Sequence, residues 1–168
     1  MMGISNAKEL VGYCGIFCGG SALYKGRVMA GVANDLEELI EAHTFTQDWL
    51  SKFFGIDFNF EEFKKGLDYF ANKNSNCYPK VPCKRGCGAP CKIKDCAKNR
   101  GIEICFECSE FPCKHFSRFE GKERLDIVKE YEKFKKLGME EWLKLQIQEM
   151  KKGYCGATRK YYSKAKVE

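Results

Sequence analysis

The 168-residue sequence has no run of about 18 uninterrupted apolar residues, so no segment of it is suited to cross a membrane as a helix. Its opening, MMGISNAKELVGYCGIFCGG, carries one Lys, one Glu and no long apolar stretch, and does not read as a secretory signal. These two absences predict a cytoplasmic protein with no membrane partner. No stretch alternates well enough to announce a strand, and no low-complexity linker divides the chain. Paired carboxylates, a phosphate-binding glycine loop and a serine-hydrolase elbow are all missing. The chain is also too short for a full (β/α)8 barrel, which takes roughly 200 residues or more. Neither Cys14 nor Cys18 has a histidine near it in sequence to serve as a base, and His43 falls on a helix face. The sequence therefore offers no catalytic constellation, which weighs against an enzyme.

What is present is core material and thiols. Apolar residues make up 44% of the chain, including 13 Phe, 8 Tyr and 2 Trp, which is enough to bury a core. There are 11 cysteines, too many and too odd a number to pair fully within one chain. In a reducing compartment clustered thiols serve as metal ligands more readily than as a disulfide framework. The net charge is +6, but residues 1–60 carry 4 basic and 7 acidic side chains while 73–118 carry 10 and 4. A zinc ion held by four thiolates is a −2 unit, so two such sites would remove about 4 charges from 73–118 and leave little basic patch. The segment 144–168 stays basic, with 7 basic and 2 acidic residues, as a solvated helix face and frayed end would.

The pattern predicts a mainly α protein, a small helical domain with an irregular cysteine-rich, zinc-knuckle-like module. Residues 1–72 form an N-terminal helical part, 73–118 the metal-binding module, and 119–168 C-terminal helices with a basic tail, packed as one unit. Asn34 and Glu37 read as an N-cap opening a helix. A second helix is expected from Thr46 to Phe54, burying Trp49, Leu50 and Phe53 and stopping at Gly55. Asn59 and Glu62 repeat the cap before Phe60, Phe63, Leu67 and Phe70, one apolar face. From Ala71 to Ser117 periodicity is lost, and large apolar side chains are too few to order the segment by burial; metal coordination would offset its chain entropy. A helix with Leu125, Val128 and Tyr131 on one face ends at Gly138. A last one, from Glu140 to Lys151, turns Trp142, Leu143, Ile147 and Met150 inward.

The dense segment, CYPKVPCKRGCGAPCKIKDCAKNRGIEICFECSEFPCKHF, supplies the candidate ligands Cys77, Cys83, Cys87, Cys91, Cys96, Cys105, Cys108 and Cys113, with His115 two residues beyond the last. Two to four residues between neighbouring thiolates let an intervening turn bring both sulfurs to one ion. Eight cysteines complete two four-thiolate zinc sites, closed and structural, around which the surface serves a partner. The alternative is an iron–sulfur cluster for redox or sensing, although the C-x3-C-x3-C-x4-C run from Cys83 to Cys96 matches neither common ferredoxin spacing. A further alternative is a zinc-knuckle nucleic-acid binder, with Phe106, Phe111 and Phe116 stacking on bases. Cys14 and Cys18, in GYCGIFCGGS, form a separate candidate pair, and Cys155 lies in a second GYCG.

YCGIFCGGS followed by CKIKDCAKNRGIEICFECSEFPCKHF resembles the domain-of-unknown-function 3795 family of bacterial and archaeal proteins. The likeness rests on an opening C-G-x-x-C-x-x-C and on a later run matched by Cys91, Cys96, Ala97, Gly101, Ile102, Cys105, Cys108, Phe111, Pro112 and Cys113. Ser21 stands where the opening motif has its third cysteine. The resemblance implies an uncharacterised protein presumed to bind zinc, and implies no reaction.

Overall fold

Two side-chain caps fix the beginnings of two helices. Thr46 Oγ1 accepts from the Trp49 amide at 3.2 Å, and Asn59 Oδ1 accepts from the Glu62 amide at 3.0 Å, each satisfying a donor that the helix itself leaves open. The computed structural model describes residues 4–55, 58–75, 78–86, 90–119, 121–156 and 158–163. Within them run α1 (Ile4–Glu9), α2 (Met29–Ala42), α3 (Gln47–Phe54), α4 (Phe60–Ala71), α5 (Lys92–Asn99) and α6 (Gly121–Lys151). A two-residue antiparallel pair closes the order, β1 (Tyr154–Cys155) and β2 (Lys160–Tyr161), with Tyr154 opposite Tyr161. The fold is mainly helical, as the sequence predicts. Among the described residues no helix is long and apolar enough to cross a membrane.

Several expectations need correction. α2 begins at Met29, five residues before the expected cap, because Ala30, Ala33 and Ile40 already form a buried stripe. Asn34 is therefore inside the helix, where its amide donates to the carbonyls of Ala30 at 2.6 Å and Ala71 at 3.3 Å, tying α2 to the end of α4. α3 starts one residue later than expected, with Thr46 as its cap, and stops at a left-handed Gly55; Trp49 and Phe53, expected inside, are exposed and Leu50 is only partly buried, because no other helix among the described residues covers that face. On α4 only Phe60 is buried. α6 breaks at Gly138, whose φ of 75° and ψ of 169° leave the helical region, so the two expected helices share one assigned span.

The largest revision concerns 71–117. This stretch contains α5 and supplies the middle of the core: Ile93, Ala97, Ile104, Phe106, Phe111 and Phe116 are all buried. They pack with Ala7, Val11 and Phe17 from the N-terminal part and with Ile127, Trp142, Leu143 and Met150 from α6. Phe106 meets Phe111, Tyr131, Phe134 and Trp142 at centroid distances of 5.2 to 5.8 Å, mostly edge to face. Burial therefore orders this segment to a degree that its composition, rich in Lys, Gly and Cys, concealed. Phe106, Phe111 and Phe116 are thereby withdrawn from any stacking on bases.

Candidate metal centre

Short turns position most of the described cysteines. Cys18, Cys83 and Cys105 each open a 3-10 turn, Cys113 precedes another (Lys114–Arg118), and Cys91 precedes α5. The turn carbonyls of Cys18, Cys83, Cys105 and Cys113 accept the amide three residues on, which settles the backbone while the one-torsion side chain remains adjustable.

One cavity collects four of these thiols. Cys96 from α5, Cys105 and Cys108 from the next turn, and Cys113 line a space of about 410 Å³, together with Arg100, Glu110, Lys114 and His115. Its floor is apolar, formed by Ile93, Ala97, Phe111 and Phe116. Cys105 is the deepest, and its thiol is pushed up to about 12, first by burial and then by the charges of Cys14, Cys113, Cys108 and Cys96. At the edge, Arg100 donates from Nη1 to Cys108 Sγ at 3.7 Å and holds Glu110 through two N–H···O bonds of 2.8 and 3.1 Å. The guanidinium, through its hydrogen bonds first and its charge second, holds the Glu110 carboxyl below the usual carboxylate range. Sequence reasoning missed Arg100 and Glu110, because their pairing depends on the turn between them; His115, placed beside Cys113 by sequence, does lie on the cavity wall.

A second thiol group sits at the N-terminal motif. The Tyr13 amide donates to Cys83 Sγ at 3.4 Å across 70 residues of chain. The Cys83 and Cys14 sulfurs lie 3.3 and 3.5 Å from the point where a Cβ on Gly12 would stand, so the two thiols come together beside that glycine. This group is docked onto the first. The Cys105 amide donates to the Tyr13 carbonyl at 2.8 Å, and Gly15, at φ 87°, lies so close to the Phe106 ring that a Cβ would fall 2.3 Å from it. Cys18 lies near Tyr24, whose hydroxyl is raised by burial and then by that thiol. Cys91 is partly buried against the core, and fully buried Cys155 packs with Val28 in a small separate cluster. Cys77 and Cys87 lie outside the described residues.

Among the described residues no three His, Cys, Asp or Glu side chains stand close enough to hold a single ion between them. The donor chemistry nevertheless suits a thiophilic cation: four thiols line one cavity, Cys96 from α5 and Cys105 and Cys113 from backbone held by 3-10 turns. A dication there would also reverse the mutual repulsion that raises Cys105, by favouring the thiolate.

Neither a curated protein nor a solved structure matches the chain. The family model described as "Protein of unknown function (DUF3795)" matches residues 10–118, a span that includes every cysteine except Cys155 and both thiol groups. With well over half its length inside that match, the chain belongs to the DUF3795 family.

Proposed function

We propose that this chain is a zinc-binding protein in which Cys96, Cys105, Cys108 and Cys113 hold one ion at a closed, structural site. The observation that carries this reading is the shared cavity of those four thiols, at the junction of α5, the Cys105 turn and the segment before Lys114. With four thiolate donors no coordination position stays open for a substrate, so the ion would brace the junction and would not activate water. Arg100, bonded to the Cys108 sulfur, offsets part of the excess negative charge of four thiolates. Cys14 and Cys83, with Cys18, Cys91, Cys77 and Cys87, are the remaining candidates for a second ion. A reducing, cytoplasmic setting would keep these thiols available. An iron–sulfur cluster is the second reading, favoured by the breadth of the cavity, since a cluster needs its thiolates spread around a volume and not drawn to a point.

Metal analysis and an absorption spectrum on protein purified without oxygen or chelator test both. The expected result is bound zinc with no visible absorption, about one equivalent of it lost in Cys105→Ser and retained in Cys155→Ser. Stoichiometric iron with visible thiolate-to-iron absorption would replace zinc by the cluster, and a metal-free protein that folds and melts like the untreated one would end the metal reading altogether.

A further inference from the structure

α2 carries Met29, Val32, Leu36 and Leu39 at spacings of three, four and three, the alternation of a coiled-coil seam. None of the four is buried: they are 37, 45, 43 and 56% exposed, while the neighbouring stripe of Ala30, Ala33 and Ile40 is covered. The seam does not end with the helix. His43 continues its spacing and stacks on Phe45 at 5.6 Å, Phe45 meets Trp49 at 5.1 Å, and Trp49 meets Phe53 and Phe54 at 5.6 and 5.0 Å. Phe53 and Phe54 are 64 and 62% exposed. A continuous apolar ridge thus runs along α2 and α3 on the outside of the molecule, much longer than the scattered exposed residues normal for a surface.

Charge identifies the occupant. α2 holds Asp35, Glu37, Glu38 and Glu41 and no basic residue, and from 29 to 55 the only cation is Lys52 against these four and Asp48. By helical spacing Asp35 and Glu38 border the seam on one side. On the other side of α2, Asp68 of α4 hydrogen-bonds to Glu37 and, with Glu41, raises its carboxyl against the opposing charge of Lys64, so acidic groups outweigh basic ones there. Two copies joined seam to seam would bring the Asp35 and Glu38 borders of both together, and an anionic membrane would be repelled.

We infer that the α2–α3 ridge is the docking site for an amphipathic helix of another protein, with an apolar seam flanked by Lys and Arg. Leucine-like knobs would fill the spaces between Val32, Leu36 and Leu39, and flanking cations would face Asp35 and Glu38. This surface is separate from the thiol cavity and its proposal does not depend on bound metal.

The test uses the full chain and two labelled model peptides of about 20 residues, both with Leu at the seam positions, one flanked by Lys and one by Glu. Fluorescence anisotropy is expected to show micromolar binding of the Lys peptide, weakened by added salt, and at least about tenfold weaker binding of the Glu peptide. A Leu36→Ser/Leu39→Ser variant, checked by circular dichroism for an unchanged helix signal, should lose the Lys peptide by about tenfold or more. Equal affinity for the two peptides would overturn the inference without reference to any variant. So would undiminished binding by the double variant, concentration-dependent dimerisation abolished by that variant, or co-sedimentation of the chain itself with anionic vesicles that the variant loses.

Discussion

The two halves of the aromatic content behave oppositely. In the body, built from α1, α5, α6 and the cysteine turns, Phe106, Phe111, Phe116, Phe119 and Trp142 are at most 9% exposed. In the arm, α2 to α4, buried Phe60 is the exception, and Trp49, Phe53, Phe54, Phe58, Phe63, Tyr69 and Phe70 are 36 to 64% exposed. Both regions use the same residue types, and the arm has the cleaner helical periodicity. An apolar face says that something should cover it, but whether this chain supplies the cover depends on what else the topology brings near. For the body it brings three separate stretches of sequence. For α3 and the outer side of α2 it brings solvent.

The sharpest way to break this contrast is to remove each tryptophan. Trp142→Ala should cost about 3–5 kcal/mol in chemical unfolding, since the ring is fully buried among Phe106 and Phe134 and its Nε1 donates to Glu130 at 2.9 Å. Trp49→Ala should cost under about 1 kcal/mol, and a loss as large as that of Trp142 would mean the arm is as tightly covered as the body. Next in size is Arg27, half-buried, whose guanidinium donates to the carbonyls of Gly20, Ser21, Met150 and Tyr154 and so joins the N-terminal motif to the end of α6 and the β1–β2 pair. Arg27→Met should destabilise by about 2 kcal/mol, measured by thermal melting, because it leaves several carbonyls without their donor. Smaller than either body variant, and again in the arm, Asn59→Ala removes the α4 cap and should cost about 1 kcal/mol, visible as faster amide exchange at the start of α4 with the body unchanged.

What could be read in the sequence was local. The cap at Asn59, the start of a helix near Thr46 and its stop at Gly55, the break at Gly138 and the inward Trp142, Leu143 and Met150 depend on residues within a turn or two of one another. α5 escaped notice because Lys and Asp dominate KIKDCAKN, although Ile93, Cys96 and Ala97 hold the one-face spacing that betrays it. The early start of α2 was hidden by Asn34, whose capping chemistry is spent instead on the Ala30 and Ala71 carbonyls. At the candidate centre the clustering of thiols was legible, since it lies in their spacing. The facing of Cys14 and Cys83, the role of Tyr13 between the two groups, and the Arg100–Glu110 clasp were not, because each requires distant segments to meet.

That meeting has a consequence for how the molecule is made. Tyr13, Cys14 and Gly15 find their places only against Cys83, Cys105 and Phe106, which a ribosome delivers long afterwards: at 5–20 residues per second the wait is on the order of ten seconds. For the later part of that interval Cys14 has left the synthetic machinery while Cys83, Cys105 and Phe106 are still unmade, so the first-born thiols of the chain spend the longest time open to oxidants and stray metal.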